Sequence, residues 1–426
     1  MNRRMAIGFA FLALGFSGSC LAAESQRAVV IHAGQLFDGK SDRLVSDQMI
    51  VIQGDRIAEV GPAGGVRSPI GAQEIDLSSA TVLPGLIEGH NHMFKIGDYP
   101  GTGSDAAVPA IIQPGTPFSA GYLTQLAAKN AKLDLESGFT TTRDLSSGST
   151  LDVDLRNAVN EGIIPGPRMV ITTEGMRGST VGPRYFHLVD SPSEGRKQVR
   201  IQLKNGADFI KILLLSISTG GPSLTLEEQQ AIVDEAHRQG VRVACTARAG
   251  IAVRQSIEAG CDSLELAIDI DPESIRMIVE KGTFMTFALT ANKILGRRSV
   301  QELQRASFQR ALKAGAKVAF GVNASGAHGK QAGPYHGEEA VEFATMVEHG
   351  MTPLQAIRSA TSVGAENIGW GDRVGLIEKG KYADIIAVAG NPAVDVTEME
   401  RVKFVMKGGE VVRNDFNSSV ANVSPR

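Results

Sequence analysis

Through its middle the chain alternates two kinds of segment. A run with helical spacing of apolar residues ends in glycine, and a short apolar run follows at once. The pattern recurs in "LDLESGFTTTRDL", "NAVNEGIIPGPRMVITT", "IQLKNGADFIKILLL", "DEAHRQGVRVACTA", "RQSIEAGCDSLELA", "IRMIVEKGTFMTFAL" and "QRALKAGAKVAFGV". The glycines are Gly138, Gly162, Gly206, Gly240, Gly260, Gly282 and Gly315. Most are suited to close a helix in a left-handed conformation without Cβ strain. Helix starts agree: Thr225 with Glu228 and Thr352 with Gln355 read as capping boxes, and Asp271-Pro272 as an N-cap followed by proline. These seven units, with the apolar run ending at His92, predict eight strands alternating with helices. That alternation implies parallel pairing, and eight strands predict a closed (β/α)₈ TIM-like barrel over 84–375. An open doubly wound sheet is the alternative, but no glycine-rich phosphate loop follows the first strand.

The flanks follow a different rhythm. "AVVIHAGQLFDG" and "QMIVIQGDRIAEVGP" near the start, and "GLIEKGKYADIIAVAG" and "VKFVMKGGEVVRND" near the end, read as short strands between turn residues. Such strands at both termini predict one small composite β-sandwich built from 24–83 and 376–420. His32 belongs to this layer and reads as structural.

Composition narrows the function classes. With 426 residues, 42% hydrophobic, and a net charge of −3 spread along the chain, a large core is expected, and no basic field for nucleic acid or a membrane surface. The N-terminus stands apart: a basic start, the apolar "MAIGFAFLALGFSG" and the small-residue "CLAAES" read as a signal peptide over 1–23. The apolar run is shorter than the ~20 residues a membrane span needs. A periplasmic or secreted chain is therefore expected, without a membrane anchor after cleavage. Cys245 and Cys261 are placed near opposite ends of neighbouring strands, which predicts packed thiols rather than a disulfide.

Active sites of such barrels lie at the C-terminal ends of the strands. Strand one ends in "PGLIEGHNHMF", where His90 and His92 share a face and can offer two imidazoles to one ion. Strand two ends in Arg143 and Asp144, and strand three in Thr173 and Glu174. Strand four, "FIKILLL", sets Lys211 in an apolar run, where an unpaired ammonium is costly and must be neutralised, paired or modified.

At these residues the chain resembles the amidohydrolase superfamily, in its prolidase-like and imidazolonepropionase-like branch. The resemblance is carried by "LPGLIEGHNH", "FIKI", "SATSVGAENIGWGDRVGLIEKGKYADIIAV" and "FVMKGGEVVR", and runs from about Val29 to Arg413. It implies metal-assisted hydrolysis of amide or related C–N bonds. It also implies a first metal on His90 and His92, with a carbamylated Lys211 bridging towards a second. Three further family positions are changed. Strand five resembles "VAVHAHG" but reads "VACTARAG", with Thr246 in the ligand slot. Strand six resembles "SIEHG" but reads "SLELA", with Leu266 in the slot. Strand eight resembles "FGTDA" but reads "FGVNA", with Asn323 in place of the proton-moving aspartate. The resemblance thus implies at most one divalent metal, zinc by ligand type, on His90, His92 and carbamylated Lys211.

Other histidines offer less. His187 and His237 read as surface residues, and His349 as a cation favoured at a helix end. His328 and His336 follow strand eight and could reach the mouth. Arg248, two residues beyond Thr246, could hold a carboxylate ligand or pair with Glu265. Two readings follow. One is a hydrolase of reduced activity on small amides, dipeptides or N-acyl amino acids. The other is a non-catalytic exported protein that binds a small acidic ligand through Arg248, Thr246, Asn323 and His336. A homo-oligomer is compatible with either.

Overall fold

In a computed structural model of the chain, residues 28–94, 119–147, 149–179, 187–214, 221–324 and 334–416 are described. The expected signal peptide, His328 and most of the long segment after strand one lie outside them.

The two ends of the chain build one seven-stranded sheet. In sheet order its strands are Glu410–Asn414, Phe404–Lys407, Ile385–Val388, Gln73–Pro84, Val29–Leu36, Val45–Gln53 and Arg56–Pro62. The two contributions meet where Ile385–Val388 runs antiparallel to the end of Gln73–Pro84. That long strand leads straight into the first barrel strand through Gly85, where a Cβ would stand 2.1 Å from the Thr140 hydroxyl. Only glycine fits this crossing. Arg168 secures the same corner with a two-point ion pair to Asp384, at 2.9 and 3.1 Å. Arg168 and Arg56 also lie 3.6 and 3.5 Å from the centroid of the Tyr382 ring.

The barrel strands are Leu86–Asn91, Phe139–Asp144, Arg168–Ile171, Ile210–Leu213, Val243–Thr246, Ser263–Glu265 and Phe284–Met285, with 317–323 as the eighth segment. Strands one to three pair in parallel, as do strands four to seven. The Asp208 amide donates to the Ile171 carbonyl at 2.7 Å and joins the two groups. The eighth segment is held on one side by Met285, whose amide donates to Lys317 O at 2.9 Å. On the other side it meets strand one: Gly89 N donates to Phe320 O at 3.1 Å and Asn323 N to His90 O at 2.8 Å. The circle is thereby closed, as the alternation of segments predicts.

All seven predicted helix-closing glycines have positive φ. Both capping boxes and the Asp271 N-cap are present. Phe139, Phe320 and Phe343 pack in series, with ring centroids 5.5 and 4.5 Å apart, and seat the eighth segment in the core.

Two expectations are overturned. Cys245 and Cys261 form a disulfide, with Cα atoms 6.1 Å apart. Cys261 is not on a strand. It sits in the turn after Gly260, whose φ of 92° folds the chain back over the helix-facing side of strand five, where Cys245 points. His349 does cap the helix Val341–Glu348, but burial lowers its pKa and its ring meets the edge of Phe308. It is a packed neutral ring rather than a helix-end cation.

Candidate metal centre

The mouth is organised around one carboxylate. Glu265, the last residue of strand six, is fully buried, and each of its oxygens has two partners. Oε1 accepts from Arg143 Nη2 and Ser263 Oγ, both at 2.5 Å. Oε2 accepts from His90 Nδ1 at 2.7 Å and Thr286 Oγ1 at 2.5 Å. Burial alone would raise the Glu265 pKa, but the charge of Arg143 and the contact with His90 hold it well below the usual range. An ionised Glu265 can only accept, so His90 carries its proton on Nδ1. Its Nε2 is buried and makes no hydrogen bond. Burial, with the nearby charge of Lys211, lowers the His90 pKa to about 4. The result is a neutral imidazole with a lone pair presented by an anchored ring, the condition a metal ligand requires.

The remaining predicted residues gather around it. The His92 ring lies 5.4 Å from that of His90, nearly perpendicular to it. Lys211 is buried among cations. Desolvation lowers its pKa to about 7, and the pull of Glu265 is opposed by Arg143 and Arg248. An amine so placed is partly neutral at physiological pH, the form that reacts with CO₂. Thr246 lies in register with Glu265, on the face that carries Lys211, and is buried. Leu266 and Asn323 have φ of 59° and 58°. That left-handed conformation suits asparagine and strains leucine. Arg248 is half-buried at the rim. Of the two partners open to Arg248, Glu265 is taken by Arg143, which rises from strand two.

His336 is corrected in position. Its ring is buried behind strand one, with Nδ1 at 2.9 Å from Asp134 Oδ1 and Nε2 at 3.3 Å from the His92 carbonyl. Asp134, on the helix Ala120–Glu136, also accepts from Asn91 Nδ2 at 2.8 Å. Asn91 points away from the lumen because it alternates with His90 and His92. His336 therefore supports the strand from the helix side and does not line the mouth.

The match to known proteins follows this geometry. The model of the amidohydrolase family matches residues 81–412. The chain belongs to the amidohydrolase family. Ochratoxinase of Aspergillus niger is 26% identical over 450 aligned residues, covering 92% of this chain and 88% of the relative. A crystal structure of a Xaa-Pro dipeptidase with bound methionine superposes with a TM-score of 0.80 at 30% identity, over 91% of this chain and 100% of the other. An imidazolonepropionase of Streptomyces coelicolor matches a shorter stretch, 31% identical over 116 residues, 26% of this chain and 28% of that one. As an amidohydrolase, the chain has a TIM-type barrel, and hydrolysis is the chemistry of its class.

Sequence reasoning named Glu265 only as a partner for Arg248, and passed over Asp134. One signal was available: "SLEL" puts Ser263 and Glu265 on one face of a buried strand, where an acid requires a partner. Asp134 lies on an amphipathic helix and carries no comparable local mark.

Proposed function

We propose that this amidohydrolase is an exported, metal-assisted hydrolase of amide bonds in small molecules of the dipeptide or N-acyl amino acid class, with turnover reduced by its changed ligand slots. The observation that carries the reading is His90: Nδ1 is fixed on Glu265 and the buried Nε2 is left without a partner. His90, His92 and a carbamylated Lys211 would hold one divalent ion, by donor type zinc. When bound, that ion would supply a Lewis acid and a water of lowered pKa. Leu266 offers no donor to a second.

The chain's own residues define the rest. Arg248 stands at the rim with a guanidinium suited to a substrate carboxylate. The Thr246 hydroxyl and Asn323 amide provide neutral hydrogen-bonding groups at the changed slots. Asn323 cannot take a proton, so a general-base contribution of roughly 10²–10⁴-fold is missing at that position. This supports reduced turnover and keeps a second reading, a binding protein for small acidic ligands. The Cys245–Cys261 disulfide supports export, since such bonds persist in oxidising compartments. Cleavage after Ala22 or Ala23 is the expected processing, read by N-terminal sequencing of the exported protein. Recovery of intact Met1 would overturn it.

The deciding assay is hydrolysis of Xaa-Pro dipeptides and N-acyl amino acids by protein reconstituted with zinc and bicarbonate, beside His90→Ala. Slow zinc-dependent turnover lost in the variant supports the hydrolase. Carboxylate-dependent thermal stabilisation without turnover supports the binding protein.

A further inference from the structure

We propose that Asp134, His336 and Glu339 form a separate, buried divalent-metal site behind strand one, outside the barrel lumen. All three side chains are at most 1% exposed. His336 Nδ1 lies 2.9 Å from Asp134 Oδ1 and 3.8 Å from Glu339 Oε1, and one ligand atom from each residue lies within 4.8 Å of the others. Nitrogen and oxygen donors about 2.0–2.2 Å from one ion stand roughly 3–4 Å apart, so the trio has the span of a single coordination sphere.

The second ring nitrogen is placed to support this role. His336 Nε2 faces the His92 carbonyl at 3.3 Å, and a carbonyl can only accept. With a proton kept on Nε2, a neutral ring would turn the Nδ1 lone pair towards the carboxylates. At 2.9 Å Nδ1 and the Asp134 carboxylate share a proton in the metal-free protein, and a metal ion that displaces it would take up the same lone pairs. A metal-ligating histidine commonly donates its other N–H to a backbone carbonyl, as here.

Charge balance agrees. Among the described residues, His336 is the only basic side chain that pairs with either carboxylate. Without metal, the trio is neutral when His336 is protonated, Asp134 is ionised and Glu339 keeps its proton. A divalent ion binding there displaces those two protons and leaves the site neutral again. Because Asp134 holds Asn91 and His336 holds the carbonyl of His92, this ion would fix the end of the strand that carries the mouth histidines.

The test separates this site from the mouth. Wild type, His90→Ala/His92→Ala and the same double variant with Glu339→Gln are loaded with Zn²⁺, desalted and analysed for zinc. The double variant is expected to keep about one ion per chain and to lose it when Glu339→Gln is added. Calorimetric titration of the double variant in two buffers should report about two protons released per ion. Zn²⁺ should also raise its Tm. A double variant free of metal, or one whose stoichiometry Glu339→Gln leaves unchanged, would overturn the site and leave the trio held by shared protons. If wild type binds one ion that survives loss of both mouth histidines, this site stands and the mouth reading falls.

Discussion

His90 Nδ1 and Glu265 Oε2 lie 2.7 Å apart, a fully buried contact between strands one and six. It fixes which imidazole nitrogen faces the lumen, and Arg143 completes the charge balance on the other oxygen. Glu265→Gln keeps the shape but removes the charge, and leaves Arg143 buried without its counterion. Breaking such a pair costs about 3–5 kcal/mol. A folded fraction of the variant should bind zinc roughly 10–100-fold more weakly. Denaturant unfolding and competitive metal titration read the two effects, and unchanged values in both would remove Glu265 from the site.

Protonation of His90 should set part of the acid stability. Its pKa is lowered from 6.5 to about 4 in the fold, so the unfolded chain binds the extra proton first as pH falls. A group with this sign leaves stability intact above about 6.5 and removes it progressively down to about 4. The expected loss is about 3 kcal/mol over that window. His90→Gln should flatten the profile there, and an identical slope in wild type and variant would contradict the assignment.

Carbamylation of Lys211 should depend on pH with the sense set by its lowered pKa of about 7. Above that value the free amine predominates and can take up CO₂; below it the ammonium cannot. With ¹³C-bicarbonate, a carbamate resonance should be present at pH 8, absent at pH 6, and absent at both in Lys211→Met. A signal unaffected by Lys211→Met belongs to another amine.

The barrel was legible because its signal is repeated. Each of the seven helix-to-strand units carries a glycine that must take positive φ, so a misreading of one would have been outvoted by the rest. The placing of His90, His92 and Lys211 on the lumen face was legible for a related reason, since strand parity and an isolated charge are local facts. Arg143 with Glu265, and Asp134 with His336, are not local. They join positions 122 and 202 residues apart, and nothing in the neighbourhood of one names the other. The disulfide was missed because a turn at Gly260, not strand geometry, sets the position of Cys261.

Restoring the changed slots should restore chemistry. Thr246→His, Leu266→His and Asn323→Asp together should raise metal occupancy at the mouth and create or greatly increase hydrolysis of N-acyl amino acids or dipeptides. Each alone should do little, because such residues act as one unit. A buried imidazole without a partner would cost roughly 1–3 kcal/mol. At Leu266 part of this is offset, since histidine tolerates the left-handed φ of 59° better than leucine. Adding Arg248→His should relieve repulsion of a second cation. Wild-type turnover equal to that of the repaired protein would show that the substitutions never impaired the site.

The disulfide should act as a brace. Cys245 and Cys261 are 16 residues apart, and closing a loop of that size is worth about 3 kcal/mol. Cys245→Ala/Cys261→Ala should lower the Tm by several degrees, and reductant should lower the wild-type value but not the variant's. Equal melting of all samples would mean that the bond does not form.

The closure of the barrel carries a consequence for how the chain folds. Gly89 and His90 are bonded to Phe320 and Asn323, so the seam joins segments more than 200 residues apart, the kind of contact whose loop entropy makes it slow to form. The mouth histidines stand on that seam. An ion seated on His90 and His92 would therefore act as a rivet at a joint that forms late. Slow amide exchange at Gly89 and Asn323 would be the mark of a riveted barrel, and faster exchange at these two amides than in strands four and five the mark of an open one.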